Sequence, residues 1–226
     1  MPSTRPGTIC VLSGDLSRYG SFWASFSQVN KPPGTVVDCV IGYGIVPGIN
    51  SSITRFLASA GDWWWLMADD HVFGEDLLMA LLARELPIVA PLNVQRHHPF
   101  APLLYAAAVE EGVPVHQYTW KHLAHMAGLY KLPARASCGS AGMLIQRDVL
   151  TTLGTSDWFQ DRPGLAFSED LYFCERVRAH GYPVYVDLDC RMGHLFPTAA
   201  VPVQTETGEW LVGLQVHGKS FAYLRY

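Results

Sequence analysis

Two adjacent carboxylates, Asp69 and Asp70, stand directly after a run of six apolar residues, Trp63 to Ala68, and directly before His71. Neighbouring carboxylates repel each other and are costly to remove from water, so a cation is their natural partner. Hard oxygen ligands suit Mg²⁺ or Mn²⁺, and these ions commonly share their ligand shell with substrate phosphates. The dipeptide alone leaves a second interpretation equally open, in which Asp69 caps the following helix and Asp70 is solvated.

A second acidic pair, Glu169 and Asp170, occurs in the segment SEDLYFCERVRAHGY. Its pattern predicts a helix that Ser168 caps and Gly181 ends, with both acids in the first turn. The helix dipole favours an acid there by about 0.3 to 1 kcal/mol, so ordinary helix electrostatics explain this pair when it is taken alone. The same dipole keeps a carboxylate ionised and fixed in direction, which suits a base that receives a proton late in a reaction.

Strands and helices alternate through the part of the chain that must position the first acidic pair. The predicted strands are TICVLSGD, TVVDCVIGYG, the tryptophan run and PIVAPL. The predicted helices are LSRYGSFWASFSQVN, NSSITRFLASAG and GEDLLMALLARELP, the second with Asn50 or Ser51 as its N-cap and Gly61 as its end. This alternation is typical of an α/β fold with a mostly parallel central sheet flanked by helices.

The tryptophan run is continuous rather than alternating, which predicts a strand covered on both faces. We therefore expect Trp63 to Trp65 to pack in the core rather than to stack on carbohydrate. In parallel α/β sheets, ligands bind beyond the carboxyl ends of the strands. The strand thus delivers Asp69 and Asp70 to the ligand-binding edge of the sheet.

The remainder of the chain departs from this alternation. Residues 93–135 are rich in Pro, His and aromatic residues and predict loops and short helices. The segments ASCGSAGMLIQRDVL and PVYVDLDCRMGH predict further strands, and residues 197–226 form a strand-like tail. Because no repeat or linker divides the sequence, we expect a single domain over residues 1–226.

Charge and composition argue against several classes of protein. The 16 basic and 20 acidic residues give a net charge of -4, without the basic surface expected of a nucleic-acid-binding protein. The segment MPSTRPGTIC does not have the pattern of a secretory signal, so we expect none, and no apolar stretch reaches the roughly 20 residues that a membrane span requires. Five scattered cysteines without a CxxC pair indicate reduced thiols. These features predict a soluble, cytoplasmic protein without a membrane partner.

Three segments resemble the GT-A glycosyltransferases, most closely the large inverting family 2 type. They are the acidic motif ADDHVF, the small-residue turn and strand GSAGMLIQRDVL, and the segment SEDLYFCERVRAHGYPVYVD. Matching segments occur in order over about residues 8 to 196. The resemblance implies a GT-A (Rossmann-like) fold with a nucleotide-binding half at 8–95 and an acceptor and catalytic half at 96–196. It also implies a metal-dependent glycosyltransferase that moves a sugar from a nucleotide-diphosphate sugar, with UDP expected, to an acceptor hydroxyl with inversion.

The resemblance also implies roles for individual residues. Asp70 matches the last acid of the family's Asp-x-Asp motif and would ligate Mn²⁺ or Mg²⁺ on the nucleotide diphosphate. His194 would complete the metal shell, and Asp69 would support the metal or the ribose. Asp170 would be the base that deprotonates the acceptor, and Glu169 would orient the substrate. The positions that would hold the nucleotide are Ser13, Gly14, Asp15, Gly42 and Tyr43.

Some positions differ from the family pattern, and two other functions stay open. Ala68 replaces the first acid of the motif, and His71 stands where the family often has an apolar residue, which leaves open whether His71 joins the metal shell. A nucleotidyltransferase would need a basic, glycine-rich phosphate loop after the first strand, where only Arg18 is available. A non-catalytic nucleotide-sugar- or glycan-binding module is the third interpretation. A protein, a glycan, a small molecule or a modified DNA base could each be the acceptor.

Overall fold

The structure is a computed structural model that describes residues 5–14, 20–96, 99–106, 116–154, 156–161, 169–196, 199–216 and 219–224. Its helices are α1 (Gly20–Gln28), α2 (Ile45–Leu57), α3 (Leu77–Leu82), α4 (Arg147–Thr152) and α5 (Glu169–Ala179). Its strands are β1 (Thr8–Ser13), β2 (Val36–Ile41), β3 (Trp63–Ala68), β4 (His71–Phe73), β5 (Ile88–Leu92), β6 (Leu104–Tyr105), β7 (Leu129–Lys131), β8 (Ser137–Cys138), β9 (Leu144–Gln146), β10 (Tyr185–Leu195), β11 (Ala199–Gln204), β12 (Trp210–Val216) and β13 (Lys219–Leu224). Within these ranges, no helix is both long enough and apolar enough to cross a membrane.

One mixed sheet organises the described part of the chain. Its strand order is β2-β1-β3-β9-β5-β10-β11-β12-β13, and β4 and β7 also pair with β10. β1 is parallel to β2 and β3, and β5 is parallel to β10. β9 lies antiparallel between β3 and β5, so β1, β2, β3, β5 and the start of β10 all run in one direction.

The predicted α/β class is confirmed, and the predicted parallel sheet is confirmed in part. The tail strands β11, β12 and β13 pair antiparallel, as short connections between successive strands allow. Strand β9 departs from the parallel pattern inside the sheet itself. The parallel strands nevertheless share one carboxyl edge, which is the feature that a binding site requires.

The tryptophan strand is buried on both of its faces, as its continuous apolar run predicts. Trp64 packs in one core cluster with α2, and Trp63 and Trp65 pack in a second cluster with α1 and α3. Each indole N–H has an acceptor: Trp63 Nε1 donates to the carbonyl oxygen of Arg5, Trp64 Nε1 to Ser52 Oγ, and Trp65 Nε1 to the carbonyl oxygen of Gly142. The run therefore anchors β3 between two layers.

The start of α2 differs from its prediction. The helix begins at Ile45, so the expectation that Asn50 or Ser51 is its N-cap is wrong. Pro47 fits the first turn because backbone N–H groups there have no acceptor within the helix. The Asn50 side chain has another use: its Nδ2 donates to the carbonyl oxygen of Phe159 at 2.9 Å, and its Oδ1 accepts from the Phe159 N–H at 3.1 Å.

The end of α2 and two other predicted helical regions also differ from the prediction. α2 ends at Leu57, ahead of Gly61, and α3 covers only Leu77–Leu82, so Glu75 and Asp76 lie before its first turn. Residues 116–135 form turns and strand β7 rather than short helices. The expected N-cap Ser168 lies outside the described residues.

Candidate active site

Strands that run in the same direction end together at one edge of the sheet. β1 ends at Ser13, β3 at Ala68 and β5 at Leu92, and the first turn of α5 lies at the same edge. A pocket of about 480 Å³ opens there. Its polar lining includes Ser13, Asp69, Asp70, His71, Arg96, Ser140, Glu169, Asp170 and His194. The pocket therefore brings together both acidic pairs and His194.

Pairing between β4 and β10 places His194 beside Asp70. His71 and His194 stand opposite each other in this antiparallel ladder, and their rings stack with centroids 4.3 Å apart. The backbone N–H of Leu195 donates to the carbonyl oxygen of Asp70 at 2.6 Å. As a result, Asp70 Oδ1 lies 2.9 Å from His71 Nδ1, and Asp70 Oδ2 lies 3.2 Å from His194 Nε2.

The hydrogen bonding of His194 suits a metal ligand. Its Nδ1 lies 2.9 Å from the carbonyl oxygen of Val94, which can only accept, so Nδ1 carries a proton. In the neutral ring, Nε2 then directs a lone pair at Asp70 Oδ2, which is also an acceptor. A cation or an added proton has to separate these two atoms. A carbonyl that orients a histidine in this way is a common support of metal-ligating imidazoles, and the donors of Asp70 and His194 fit a divalent ion.

The hydrogen bonding of His71 differs from that of His194. The Val94 N–H donates to Asn93 Oδ1 at 2.7 Å, which orients the amide so that Asn93 Nδ2 donates to His71 Nε2 at 2.9 Å. The proton of the neutral His71 ring is therefore on Nδ1, 2.9 Å from Asp70 Oδ1. This contact is an electrostatic attraction, because its alignment is too poor for a hydrogen bond. Burial lowers the pKa of His71 and keeps this ring neutral. His71, Asp70 and His194 lie close enough to share an ion, but in this tautomer His71 orients the carboxylate instead of ligating.

Asp70 stays ionised although it is largely buried. Burial by itself would raise its pKa. A hydrogen bond from His194, which needs the added proton on Nε2, and the contact with His71 outweigh burial and hold the pKa of Asp70 well below its ordinary value. The Arg96 guanidinium adds a positive charge, with Nη1 3.2 Å from Asp70 Oδ2. The carboxylate is therefore available as a ligand throughout the neutral pH range.

Asp69 points toward a different partner. Its Oδ2 accepts a hydrogen bond of 2.5 Å from Ser13 Oγ, and its backbone N–H donates to the carbonyl oxygen of Leu12. Strand β4 follows the acidic pair, so the interpretation in which Asp69 caps a following helix is wrong. Asp69 is not among the three residues of the Asp70 cluster. Its support of a metal or a ribose stays a prediction, and its position next to β1 favours the ribose.

The described residues among those expected to hold a nucleotide lie around the ends of β1 and β2. Gly14 and Tyr43 line the pocket, and Tyr43 is 61% exposed, which leaves its ring available to a ligand. Gly42 adopts a φ of 75°, a conformation that favours glycine, and its N–H lies near the carbonyl oxygen of Ser13. Asp15, which belongs to the same prediction, lies outside the described residues.

Glu169 and Asp170 form the first turn of α5 at the pocket wall. Asp170 is only 9% exposed, and its Oδ1 accepts from the backbone N–H of Leu171 at 2.8 Å. Burial, together with the neighbouring charge of Asp170, raises the pKa of Glu169 to about 7. One of the two carboxyl groups can therefore hold a proton at neutral pH while the other is charged.

Small residues keep open space beside Asp170. Gly139, Ser140 and Ala141 line the pocket next to the acidic turn. A Cβ added at Gly139 would lie 3.7 Å from Asp170 Oδ2 and 3.2 Å from Leu103. The lack of a side chain at Gly139 therefore leaves space in the pocket next to the largely buried Asp170 carboxyl group.

Two residues of the site, Asn93 and Arg96, were missed in the sequence. Asn93 directly follows the buried strand β5, so the rule that located Asp69 also applies to Asn93. Arg96 has no comparable signal, because its approach to Asp70 depends on the path of the loop after β5.

The fold and pocket define a mixed α/β domain with an acidic, histidine-containing site at the carboxyl edge of its parallel strands. No family model matches the chain, and no curated protein matches it. The chain is similar to a solved structure, the crystal structure of A197 from STIV, with a TM-score of 0.54 and 13% sequence identity. The alignment covers 96% of this chain and 98% of that one. At this identity the likeness concerns the fold, and function has to be argued from the site.

Proposed function

We propose that this protein is a GT-A-type glycosyltransferase that moves a sugar from a nucleotide-diphosphate sugar to an acceptor hydroxyl with inversion. The observation that carries the proposal is the shared pocket, in which the Asp70–His194 pair and the Glu169–Asp170 pair line one cavity. The first pair has the donors for a divalent ion on a diphosphate. The second pair supplies a carboxylate that can accept a proton.

The nucleotide lies at the end of β1, where Ser13 and Asp69 are hydrogen-bonded to each other. Asp69 binds the ribose, and the exposed ring of Tyr43 packs against the base. Asp70 and His194 would hold Mn²⁺ or Mg²⁺, and the bound ion would neutralise negative charge on the diphosphate. His71 and Asn93 keep the Asp70 carboxylate in its orientation.

Transfer is a direct displacement at the anomeric carbon. Asp170 accepts the proton of the acceptor hydroxyl while the hydroxyl oxygen forms a bond to the anomeric carbon. The bond between this carbon and the diphosphate oxygen breaks, and the nucleoside diphosphate leaves with the electron pair. Because attack and departure occur on opposite faces of the sugar, the configuration inverts. Glu169 orients the acceptor from the same helix turn.

The test is turnover of a panel of nucleotide sugars with Mn²⁺, with Mg²⁺ and with a chelator. A thermal-shift screen of the same panel first selects the donor, since a ligand that binds the folded state raises the melting temperature. We expect metal-stimulated hydrolysis or transfer of one donor, and a product anomer of inverted configuration by NMR. Tight binding without any turnover would favour the non-catalytic module, and release of pyrophosphate from a nucleoside triphosphate would favour the nucleotidyltransferase.

A further inference from the structure

Arg96 contacts the same oxygen of Asp70 that faces His194. Its Nη1 lies 3.2 Å from Asp70 Oδ2, the same oxygen that lies 3.2 Å from His194 Nε2. Ligands of one small divalent ion lie about 3 Å apart, so the ion would sit against this oxygen. The guanidinium and the ion therefore compete for Asp70.

The Arg96 side chain is able to leave. It is 51% exposed, whereas the Asp70 side chain is 19% exposed and is held from two sides by histidines. Arg96 also lines the pocket that would hold the diphosphate. A planar guanidinium matches two phosphate oxygens at once, and phosphate is a better partner for it once a divalent ion has taken the carboxylate.

We infer that Arg96 is an exchangeable cation, which neutralises Asp70 in the metal-free protein and moves to the diphosphate when the metal and the nucleotide bind. This inference rests on the proposed function for the identity of the diphosphate ligand. Its first half, the competition with the metal, depends only on the contacts of Asp70. In this inference the leaving diphosphate has two positively charged partners, the metal ion and Arg96.

The first measurement is Mn²⁺ binding without nucleotide, from the EPR signal of free Mn²⁺ and from calorimetry. Arg96→Met removes the competing charge and is expected to tighten Mn²⁺ binding about two- to fivefold, the size typical of exposed ion pairs. Arg96→Lys retains the positive charge, so its Mn²⁺ affinity is expected to be closer to that of the original protein. If Arg96 only supports the structure of the site, Arg96→Met should bind Mn²⁺ more weakly. Unchanged or weaker Mn²⁺ binding by Arg96→Met therefore contradicts the inference that Arg96 competes with the metal.

The second measurement is binding of UDP, GDP and ADP at saturating Mn²⁺. Arg96→Met is expected to lose about tenfold or more in affinity for the preferred nucleotide, as the loss of a charged hydrogen bond implies. Arg96→Lys should lie in between, because it keeps the charge without the planar fork. Equal affinity in Arg96→Met overturns the second role of Arg96.

The two proposals fail in different ways. If the unmodified protein binds Mn²⁺ but none of the three nucleotides, the proposed function and the diphosphate role of Arg96 are both wrong. Tighter Mn²⁺ binding by Arg96→Met in that case still supports the competition at Asp70. Circular dichroism of both variants shows whether they fold like the original chain.

Discussion

Asp70 and His194 are 124 positions apart in the chain, yet Asp70 Oδ2 lies 3.2 Å from His194 Nε2. The contact results from the ladder in which β4, directly after Asp70, pairs with the end of β10. When the imidazole is neutral, both atoms are hydrogen-bond acceptors, so a cation has to lie between them. The alternative is a proton on Nε2, which makes the imidazole positively charged. The proximity therefore has a chemical consequence that neither residue has alone.

Substitution of either residue should remove metal binding. We expect Asp70→Ala and His194→Ala to bind Mn²⁺ too weakly to detect by calorimetry at the concentrations that saturate the original protein. Asp69→Asn should keep most of the Mn²⁺ affinity, because Asp69 contacts Ser13 and not His194. Metal-stimulated turnover retained in Asp70→Ala would contradict the ligand assignment, and loss of Mn²⁺ in Asp69→Asn would place Asp69 in the metal shell.

His71 should affect the metal less than His194 does. Asn93 donates to Nε2 of His71, so the Nδ1 that faces Asp70 carries the proton and has no free lone pair. Supporting residues of this kind commonly change metal affinity by about 10- to 100-fold. We therefore expect His71→Phe to lower the Mn²⁺ affinity by that factor, whereas His194→Ala abolishes Mn²⁺ binding. Calorimetric titration with Mn²⁺ measures both variants. Equal losses in the two variants would identify His71 as a third ligand.

The sequence was most informative where burial and local geometry lead to the same conclusion. A continuous apolar run such as Trp63–Ala68 can only be accommodated between two layers, and the acids after it then lie at the edge of the sheet. The start of the helix that contains Glu169 and Asp170 could also be predicted, because the two acids and the apolar residues after them indicate the same first turn. These elements depend on residues close in sequence, which is why they could be predicted.

Other features depend on contacts between distant segments. Asn50 has a side chain that commonly caps helices. In this fold its amide group forms two hydrogen bonds with the backbone of Phe159 instead, and helix α2 begins before Asn50. The antiparallel direction of β9 depends on the side of the sheet from which the chain enters, and a run of three residues carries no such information. The approach of Arg96 to Asp70 depends on a loop path. No local pattern encodes these three relationships.

Asp170→Asn tests the assignment of the base. The amide has nearly the shape of the carboxylate but cannot accept the proton, so we expect transfer to fall by about 10²- to 10⁴-fold. Donor and Mn²⁺ affinities should be unchanged, because Asp170 is not part of the Asp70 cluster. The measurement is the initial rate of transfer, with affinities from calorimetry. Near-full transfer in Asp170→Asn, together with a large loss in Glu169→Gln, would assign the base to Glu169.

Glu169 should lower the stability of the fold as the pH rises. Its pKa is about 7 in the folded protein, against an ordinary value of 4.5, because burial and Asp170 disfavour the charged form. Between pH 4.5 and 7 the unfolded chain loses this proton first, so the contribution to stability that is complete below pH 4.5 is lost as the pH approaches 7. Glu169→Gln does not titrate. We expect its free energy of unfolding, relative to the original protein, to rise by on the order of 2 to 3 kcal/mol from pH 4.5 to pH 8.

Urea unfolding at pH 4.5, 6 and 8 measures this difference. Glu175→Gln is the matched control, because Glu175 is exposed on the same helix. Glu175→Gln removes an exposed carboxyl group from the same helix, so a pH-dependent difference found in Glu169→Gln alone is due to the buried position of Glu169. If the difference in free energy of unfolding between Glu169→Gln and the original protein is the same at all three pH values, the pKa of Glu169 is not raised in the folded protein.

Gly142 joins the small-residue turn of the pocket to the tryptophan strand, and its substitution tests how tightly the two are coupled. Its N–H donates to the carbonyl oxygen of Leu66 at 2.7 Å, and its own carbonyl oxygen accepts from Trp65 Nε1 at 2.8 Å. Its φ of 79° favours glycine, and an added Cβ would overlap Met192 and Pro91. Gly142→Ala thus combines backbone strain with overpacking of two buried neighbours.

Gly154 separates these two effects. It has a similar φ of 82°, and among the described residues beyond its chain neighbours no atom lies within 4 Å of an added Cβ. We expect Gly154→Ala to cost about 1 to 2 kcal/mol in the free energy of unfolding from backbone strain alone. Gly142→Ala should cost about 1 to 3 kcal/mol more, the usual range for overpacking. Urea unfolding gives both values, and Mn²⁺ affinity shows whether the displaced β10 disturbs His194. Equal costs for the two variants would mean that β10 moves aside freely, and the Asp70–His194 distance would then not be set by rigid packing behind the pocket.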